Sequence, residues 1–442
     1  MQIHYRHSCR FIILLCIVAL GPYVFPAAGL RLEHFVIYGS LLYVMICKML
    51  SHRNTKMDKN IFLLLALSLA VAFWILVVSL QNLSWATPYG VCAGLENFTQ
   101  PVALIIVISA VVERLDREAR LNLLRVAGIA MIVMLCINSL LAILTIFYDT
   151  LPFTQYFVVA GYFSVADNTM ISLSQLAATM NRFLGVFNQP AESGLAYSIG
   201  SLVWVYLATT SKRISSIAWV SLPLLIIGGS LSVSKTFTLG GFPLSMLYWV
   251  WSELSLLRIR KSVLVGGMIW GLGTAVVISL LAESWAGLDY FLRFFRRGSY
   301  YDGAISLFTG GRFGGAESGV GNLFAKTWNE SPIMGFGVSN AQGLDNGYIE
   351  FFFYGGIVGL AFHIAILAVI LRVAFRGLRT DPERGRLMMA LWILIIGASI
   401  GAPVFTLNRS SIFLWIILVI VFGVLSKRRT SDMFNSNSQG CL

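Results

Sequence analysis

Long apolar stretches separated by short polar ones recur along this chain from end to end. A helix needs about 20 predominantly apolar residues to cross the roughly 30 Å hydrocarbon core of a bilayer. Segments of that kind fall at 11–28, 33–50, 61–80, 93–112, 126–147, 191–209, 215–231, 237–254, 262–282, 346–371, 387–405 and 410–426. The pattern predicts an all-α polytopic membrane protein of twelve transmembrane helices, a single transmembrane domain over 1–442 with both termini on one side. Two polar interruptions, 148–190 and 283–345, are long enough to carry short helices of their own.

Composition agrees with that reading and excludes a soluble one. The chain is 57% hydrophobic and 12% charged, too apolar to fold in water, and has no long polar region to form a separate domain. The apolar run after Arg10 is expected to be a retained first helix, because Pro22 and Pro26 interrupt it and no small-residue cleavage site follows. The six cysteines lack CxxC spacing, so neither a disulfide framework nor a zinc site is indicated.

The net charge of +12 changes the picture more. In a soluble protein it would suggest nucleic acid, but here most of the 32 basic residues fall in alternate loops, as the positive-inside rule requires of cytoplasmic segments. The remainder, Arg31, Arg182, Lys235, Arg293, Arg296, Arg297, Arg312, Lys326 and Arg409, fall on the opposite side, where topology gives no reason for them. An outward-facing anion site is the inference.

Several positions carry candidate chemistry. Leu173, Leu176, Ala177 and Met180 recur at helical spacing within the first interruption. Pro190 suits the first turn of the sixth span, where Glu192 is either a dipole-stabilising or a catalytic carboxylate. Lys235 stands among Ser232, Ser234, Thr236 and Thr238 in a very short link. Left in lipid it would cost roughly 2.5–3.5 kcal/mol, so it should face an aqueous cavity or an anion, or snorkel to the interface. Arg293, Arg296 and Arg297 alternate with aromatic residues, as in an interfacial helix on lipid phosphates. Gly310-Gly311-Arg312 combines a close backbone approach with a planar fork for phosphate. Asp345 and Asn346 precede the tenth span, with Glu350 one turn further in; they suit acid–base work or a polar helix cap with Asp345 as N-cap.

Five of these segments, taken in order, resemble the O-antigen polymerase and ligase superfamily of bacterial inner-membrane glycosyltransferases: RFLGVFNQPAESG at 182–194, LSVSKT at 231–236, GGR at 310–312, WNESPIMGFG at 328–337 and LDNGYIEFFFYGGIVGL at 344–360. The resemblance implies a GT-C-like fold in which 148–190 and 283–345 are periplasmic loops. It implies undecaprenyl-diphosphate-linked oligosaccharide as substrate, with membrane lipids around it, no nucleotide sugar, no cofactor and no obligatory metal. A chain-length regulator is a candidate partner. On this reading Arg182, Lys235 and Arg312 form a diphosphate clamp, since fixed cations stabilise the charge that grows on the leaving group. Asn346 and Tyr348 add substrate contacts, and Asp345, Glu350 and Glu192 are the candidate bases, in that order.

The sequence departs from the ligases, which resemble one another in carrying a His where this chain has Asp345. That favours a polymerase of O-antigen, capsule or exopolysaccharide over a ligase that moves glycan to lipid A core. A transporter is the alternative of another class; such proteins tend to show internal repeats and mid-membrane charges, and no repeat is found.

Overall fold

A computed structural model describes residues 2–25, 29–50, 57–82, 88–148, 150–158, 163–164, 170–171, 173–211, 216–255, 319–338 and 344–426. A helix stands at each predicted apolar segment except 262–282, which lies outside the described residues. In chain order these are α1 (Gln2–Val18), α2 (Leu32–Leu50), α3 (Lys59–Gln81), α4 (Pro88–Glu113) and α5 (Arg117–Phe147). After the short α6 (Leu151–Thr154) and α7 (Leu173–Thr179) come α8 (Pro190–Thr210), α9 (Ser216–Leu231) and α10 (Phe242–Ser255). The chain then continues through α11 (Gly319–Glu330), α12 (Gly347–Thr380), α13 (Pro382–Ser399) and α14 (Asn408–Leu425).

Among the described residues six of these helices, α2, α3, α4, α5, α12 and α14, are long and apolar enough to cross a membrane, which makes the chain an all-α membrane protein. The helix predicted around Leu173–Met180 is present as α7.

Local chemistry sets several boundaries. The Asp58 carboxylate accepts from the Asn60 and Ile61 N–H groups to start α3, and Asp116 accepts from Ala119 N–H to start α5. Proline opens α8 and α13, where its missing N–H costs nothing. The first span differs from its expected limits, for α1 stops at Val18. Pro22 disfavours helix at the residue before it, and the chain turns instead into a small antiparallel hairpin, β1 (Tyr23–Phe25) with β2 (Leu30–Arg31). A second pair, β3 (Phe163–Ser164) with β4 (Met170–Ile171), lies in the first interruption.

α14 is the centre of the bundle. Its sequence is apolar on every side, which suits a helix enclosed by others, and it packs against α4, α5 and α8 with 94% of its span buried. Polar contacts gather at the bundle's two ends. At one, Arg117 and Arg384 pair with Asp381 at 2.9 and 3.1 Å, and Arg120 donates to Gly423 O at 2.7 Å. The other end holds the candidate site.

The largest departure from expectation is in α12, predicted as one uninterrupted apolar segment at 346–371. Gly356 takes φ 62°, in the left-handed region, and breaks the helix. A straight helix would set Phe351 and His363 about 18 Å apart along the axis; their ring centroids are 4.3 Å apart, and those of Tyr348 and His363 are 5.3 Å apart. The first part of α12 therefore doubles back along the second. Breaking a helix inside a membrane frees backbone groups that must be satisfied by protein. Here Trp74 Nε1 donates to Gly355 O (2.8 Å), Phe336 N–H to Phe353 O (2.8 Å), Gly337 N–H to Tyr354 O (3.0 Å) and Ile357 N–H to Pro332 O (2.8 Å).

Candidate functional site

The first layer of the site joins two segments some fifty residues apart. Phe183 N–H donates to Leu231 O at 2.9 Å, and the Arg182 guanidinium donates to Ser232 O at 3.2 Å and Val233 O at 3.1 Å. Val233 is held at φ 46°, a strained conformation for a β-branched residue, and lies two residues before Lys235. Arg182 and Lys235 thus meet at one turn, both half-buried. Beyond Lys235 the chain makes a turn of π-helix, Thr236–Gly241, a geometry frequent at functional sites. Gly194 of α8 lies directly against Ser234, leaving no room for a side chain there.

Glu192 lies at the next level and is fully buried. Its carboxylate accepts from Asn188 N–H and from the backbone N–H of Arg409, each at 2.9 Å. The Arg409 side chain is also fully buried and donates to three carbonyls: Val186 O, Gly21 O at 2.8 Å and Phe157 O at 2.7 Å. It lies over the Tyr23 ring, 5.7 Å from the centroid, and Asn188 Nδ2 donates to the Tyr23 hydroxyl at 3.2 Å. Burial raises the Tyr23 phenol above its ordinary pKa, so the group is neutral. Tyr23 pairs across the hairpin with Arg31, which is buried and contacts Glu33 at 2.9 Å. Burial opposes the charge on Arg31, but Glu33, Tyr23, Glu96 and Glu192 together outweigh it and the pKa is raised. His34 continues the network, 3.0 Å from Arg31 and 3.1 Å from Glu96.

A third layer is the doubled-back start of α12. Asn346, not Asp345, is the N-cap: its Oδ1 accepts from Ile349 N–H at 2.9 Å, and its Nδ2 donates to Ile400 O at 2.8 Å. Both residue types cap well, and the one that also finds an acceptor on the neighbouring turn takes the position. Asp345 is exposed. The Tyr348 hydroxyl donates to Ile396 O at 3.1 Å. Glu350 is buried, with the Thr406 hydroxyl 2.9 and 2.7 Å from its two carboxylate oxygens. Beside it His363, enclosed by Tyr348, Phe351 and Phe405, has no hydrogen-bond partner for either ring nitrogen among the described residues.

The turn before α14 links the layers, because Thr406 reaches Glu350 and Arg409 reaches Glu192. Of the residues named from sequence, Arg182 with Lys235, and Asp345, Asn346, Tyr348 with Glu350, form two groups at the same end of the bundle, and Glu192 stands behind the first. Arg312 lies outside the described residues, as do Arg293, Arg296 and Arg297. Sequence reasoning passed over Arg409, Arg31 and Thr406 as site residues; the signal for the two arginines was their place among the basic residues that topology left unexplained.

The geometry divides the carboxylates by what each can do. Glu192 is fully occupied by backbone donors and suits a fixed negative charge. Glu350 is held by Thr406 below the surface, while Asp345 alone of the three is exposed. Among the described residues no group of His, Cys, Asp and Glu side chains is arranged to hold a metal ion. No protein-family model matches the chain, and comparison with curated proteins finds no match.

Proposed function

We propose that the chain is the polymerase of a bacterial surface polysaccharide, a GT-C-like glycosyltransferase of twelve spans in the inner membrane with cytoplasmic termini. It transfers a growing glycan from undecaprenyl diphosphate to a lipid-linked repeat unit at the periplasmic face. The observation that carries the reading is that the described segments of the resemblance, 182–194, 231–236, 328–337 and 344–360, are far apart in sequence and fold to one end of the helix bundle. There cations (Arg182, Lys235) and an exposed carboxylate (Asp345) stand near the ends of membrane helices.

In this mechanism the acceptor hydroxyl attacks the anomeric carbon of the donor sugar, whose bond to the diphosphate oxygen breaks. The electron pair leaves with the diphosphate, and Arg182, Lys235 and Arg312 stabilise the added charge. Asp345 takes the hydroxyl proton. Asn346 fixes the start of α12, and Glu192 is a positioning residue that acts through Arg409. A diphosphate needs no nucleotide, and charge stabilisation by fixed arginines needs no metal.

Deleting the protein tests the reading in cells. The expected result is single repeat units on carrier or acceptor and no long chains, with Arg312→Ala reproducing this while the protein stays in the membrane. Long polymer persisting on the lipid carrier would contradict it. Polymer accumulating there unattached to core would favour a ligase, and failure of repeat units to reach the periplasm would favour transport.

A further inference from the structure

α11, in the second long interruption, has three distinct edges. At about 100° per residue, Val320, Leu323 and Thr327 share the edge turned to the protein, where Val320 and Thr327 are buried. Asn322, Lys326, Asn329 and Glu330 form an exposed polar edge. Phe324 and Trp328 stand between the two, 46% and 54% exposed, their rings stacked 6.0 Å apart. Both rings also lean on buried Phe352 of α12, at 5.3 and 6.4 Å. These aromatics therefore have a fixed orientation and leave apolar surface facing outward.

Two further observations say what that surface meets. The first is continuity with the membrane-facing side of the bundle. Ile357, Ala361, Ile364, Ala368 and Phe375 are exposed at helical spacing along α12, a span apolar enough to lie in a bilayer. Ile357 N–H is bonded to Pro332 O, and next to Pro332 is Ile333, 63% exposed. The apolar surface thus runs from the span through Ile357 and Ile333 to Trp328 and Phe324.

Depth is the second. Ile357 is fifteen residues from Arg372 at the basic end, about 22 Å, against a hydrocarbon thickness of roughly 30 Å. α3 gives an independent measure: Lys59 to Asn82 is about 34 Å, and at that far end Ser79 and Asn82 hold the 336–338 backbone, with Asn82 Nδ2 donating to Phe336 O at 3.3 Å. Lys326 of α11 lies over the Phe336 ring at 5.0 Å. α11 therefore stands at the membrane boundary remote from Arg372, where Trp and Phe with a polar flank favour the headgroup zone.

We propose that α11 is an interfacial helix whose Phe324–Trp328 edge is seated in the phospholipid headgroup and upper acyl region, while its Asn322–Asn329 edge faces water. Its anchoring would hold the 331–338 segment, and through it the broken backbone at Gly356, at a set depth. This does not depend on the transferase reading.

The full chain in vesicles of phosphatidylethanolamine and phosphatidylglycerol provides the test. A photo-reactive p-benzoylphenylalanine is placed at position 324 or 328 and, as comparison, at 322 or 329. Phospholipid adducts, measured by mass spectrometry, are expected to be about fivefold or more abundant from the aromatic edge. Equal yields from both edges, or adducts from 324 and 328 chiefly to a second copy or another protein, overturn the proposal. If a labelled chain fails to fold, quenching of tryptophan emission by acyl-brominated lipid decides. Trp328→Phe should lower the quenchable emission, and unchanged quenching contradicts the seating of Trp328 in lipid.

Discussion

The Thr406 hydroxyl stands 2.9 and 2.7 Å from the two carboxylate oxygens of Glu350, three residues before the Arg409 N–H that donates to Glu192. One turn thereby fixes two buried carboxylates on different helices. Removing the hydroxyl leaves Glu350 buried without the donor the structure gives it, at a cost of about 1–3 kcal/mol. Thr406→Val is expected to lower the thermal unfolding midpoint of the detergent-purified protein, and Thr406→Ser to restore most of it. Equal midpoints for Val and Thr would show that Glu350 does not depend on this bond.

Arg409 ties together the carbonyls of Gly21, Phe157 and Val186 from the N-terminal hairpin, the first interruption and the loop before α8. Arg409→Leu removes those bonds and leaves Glu192 without the cation beside it. Leaving a buried acceptor without its donor typically costs about 1–3 kcal/mol, and three carbonyls lose theirs here. The predicted outcome is a large loss of folded yield, with limited proteolysis cutting first in 150–190. Lysine should rescue only partly, since it has no fork to reach three acceptors.

Gly356 is the third test. Its φ of 62° excludes an easy side chain, and a Cβ there would run into the Ile333 carbonyl. Gly356→Ala should destabilise by more than about 1 kcal/mol, and Trp74→Phe, which removes the donor to Gly355 O, by about 1–3 kcal/mol. Thermal midpoints unchanged in both variants would mean that α12 is not broken as described.

These points also mark what was legible in the sequence. Continuous apolar runs announce membrane helices because the hydrocarbon sets both their length and their composition. The break in α12 is hidden, since FFFYGGIVGL is apolar on both sides of Gly356 and the partners that satisfy the freed backbone, Trp74 and the 332–337 segment, are remote in sequence. Arg409 could be noticed as a basic residue on the unexpected side, yet its acceptors are backbone carbonyls, which leave no trace in residue type. The choice of Asn346 over Asp345 as cap rested on Ile400 O, an acceptor from another turn. Arg182 and Lys235 fall together by resemblance, and the Leu231, Ser232 and Val233 carbonyls that accept from Arg182 and Phe183 supply a physical reason for their meeting.

The transferase reading separates Asp345 from Glu350 in kind. Asp345→Asn should slow turnover by about 10²–10⁴-fold, the usual contribution of a general base, with the unfolding midpoint unchanged. Glu350→Gln should act mainly on stability, because its carboxylate is already held by Thr406. The reverse pattern, with activity lost at Glu350 in a protein as stable as the parent, would move the base to Glu350.

The most direct measurement is elongation by the purified full chain, reconstituted in vesicles with a single defined undecaprenyl-diphosphate-linked repeat unit. The expected product is a ladder of longer lipid-linked glycans, with one undecaprenyl diphosphate released per transfer and no ladder formed by Arg182→Ala or Arg312→Ala chains that remain folded. A folded, reconstituted protein that leaves the repeat unit unextended, or that passes glycan only to added lipid A core, would contradict the polymerase reading.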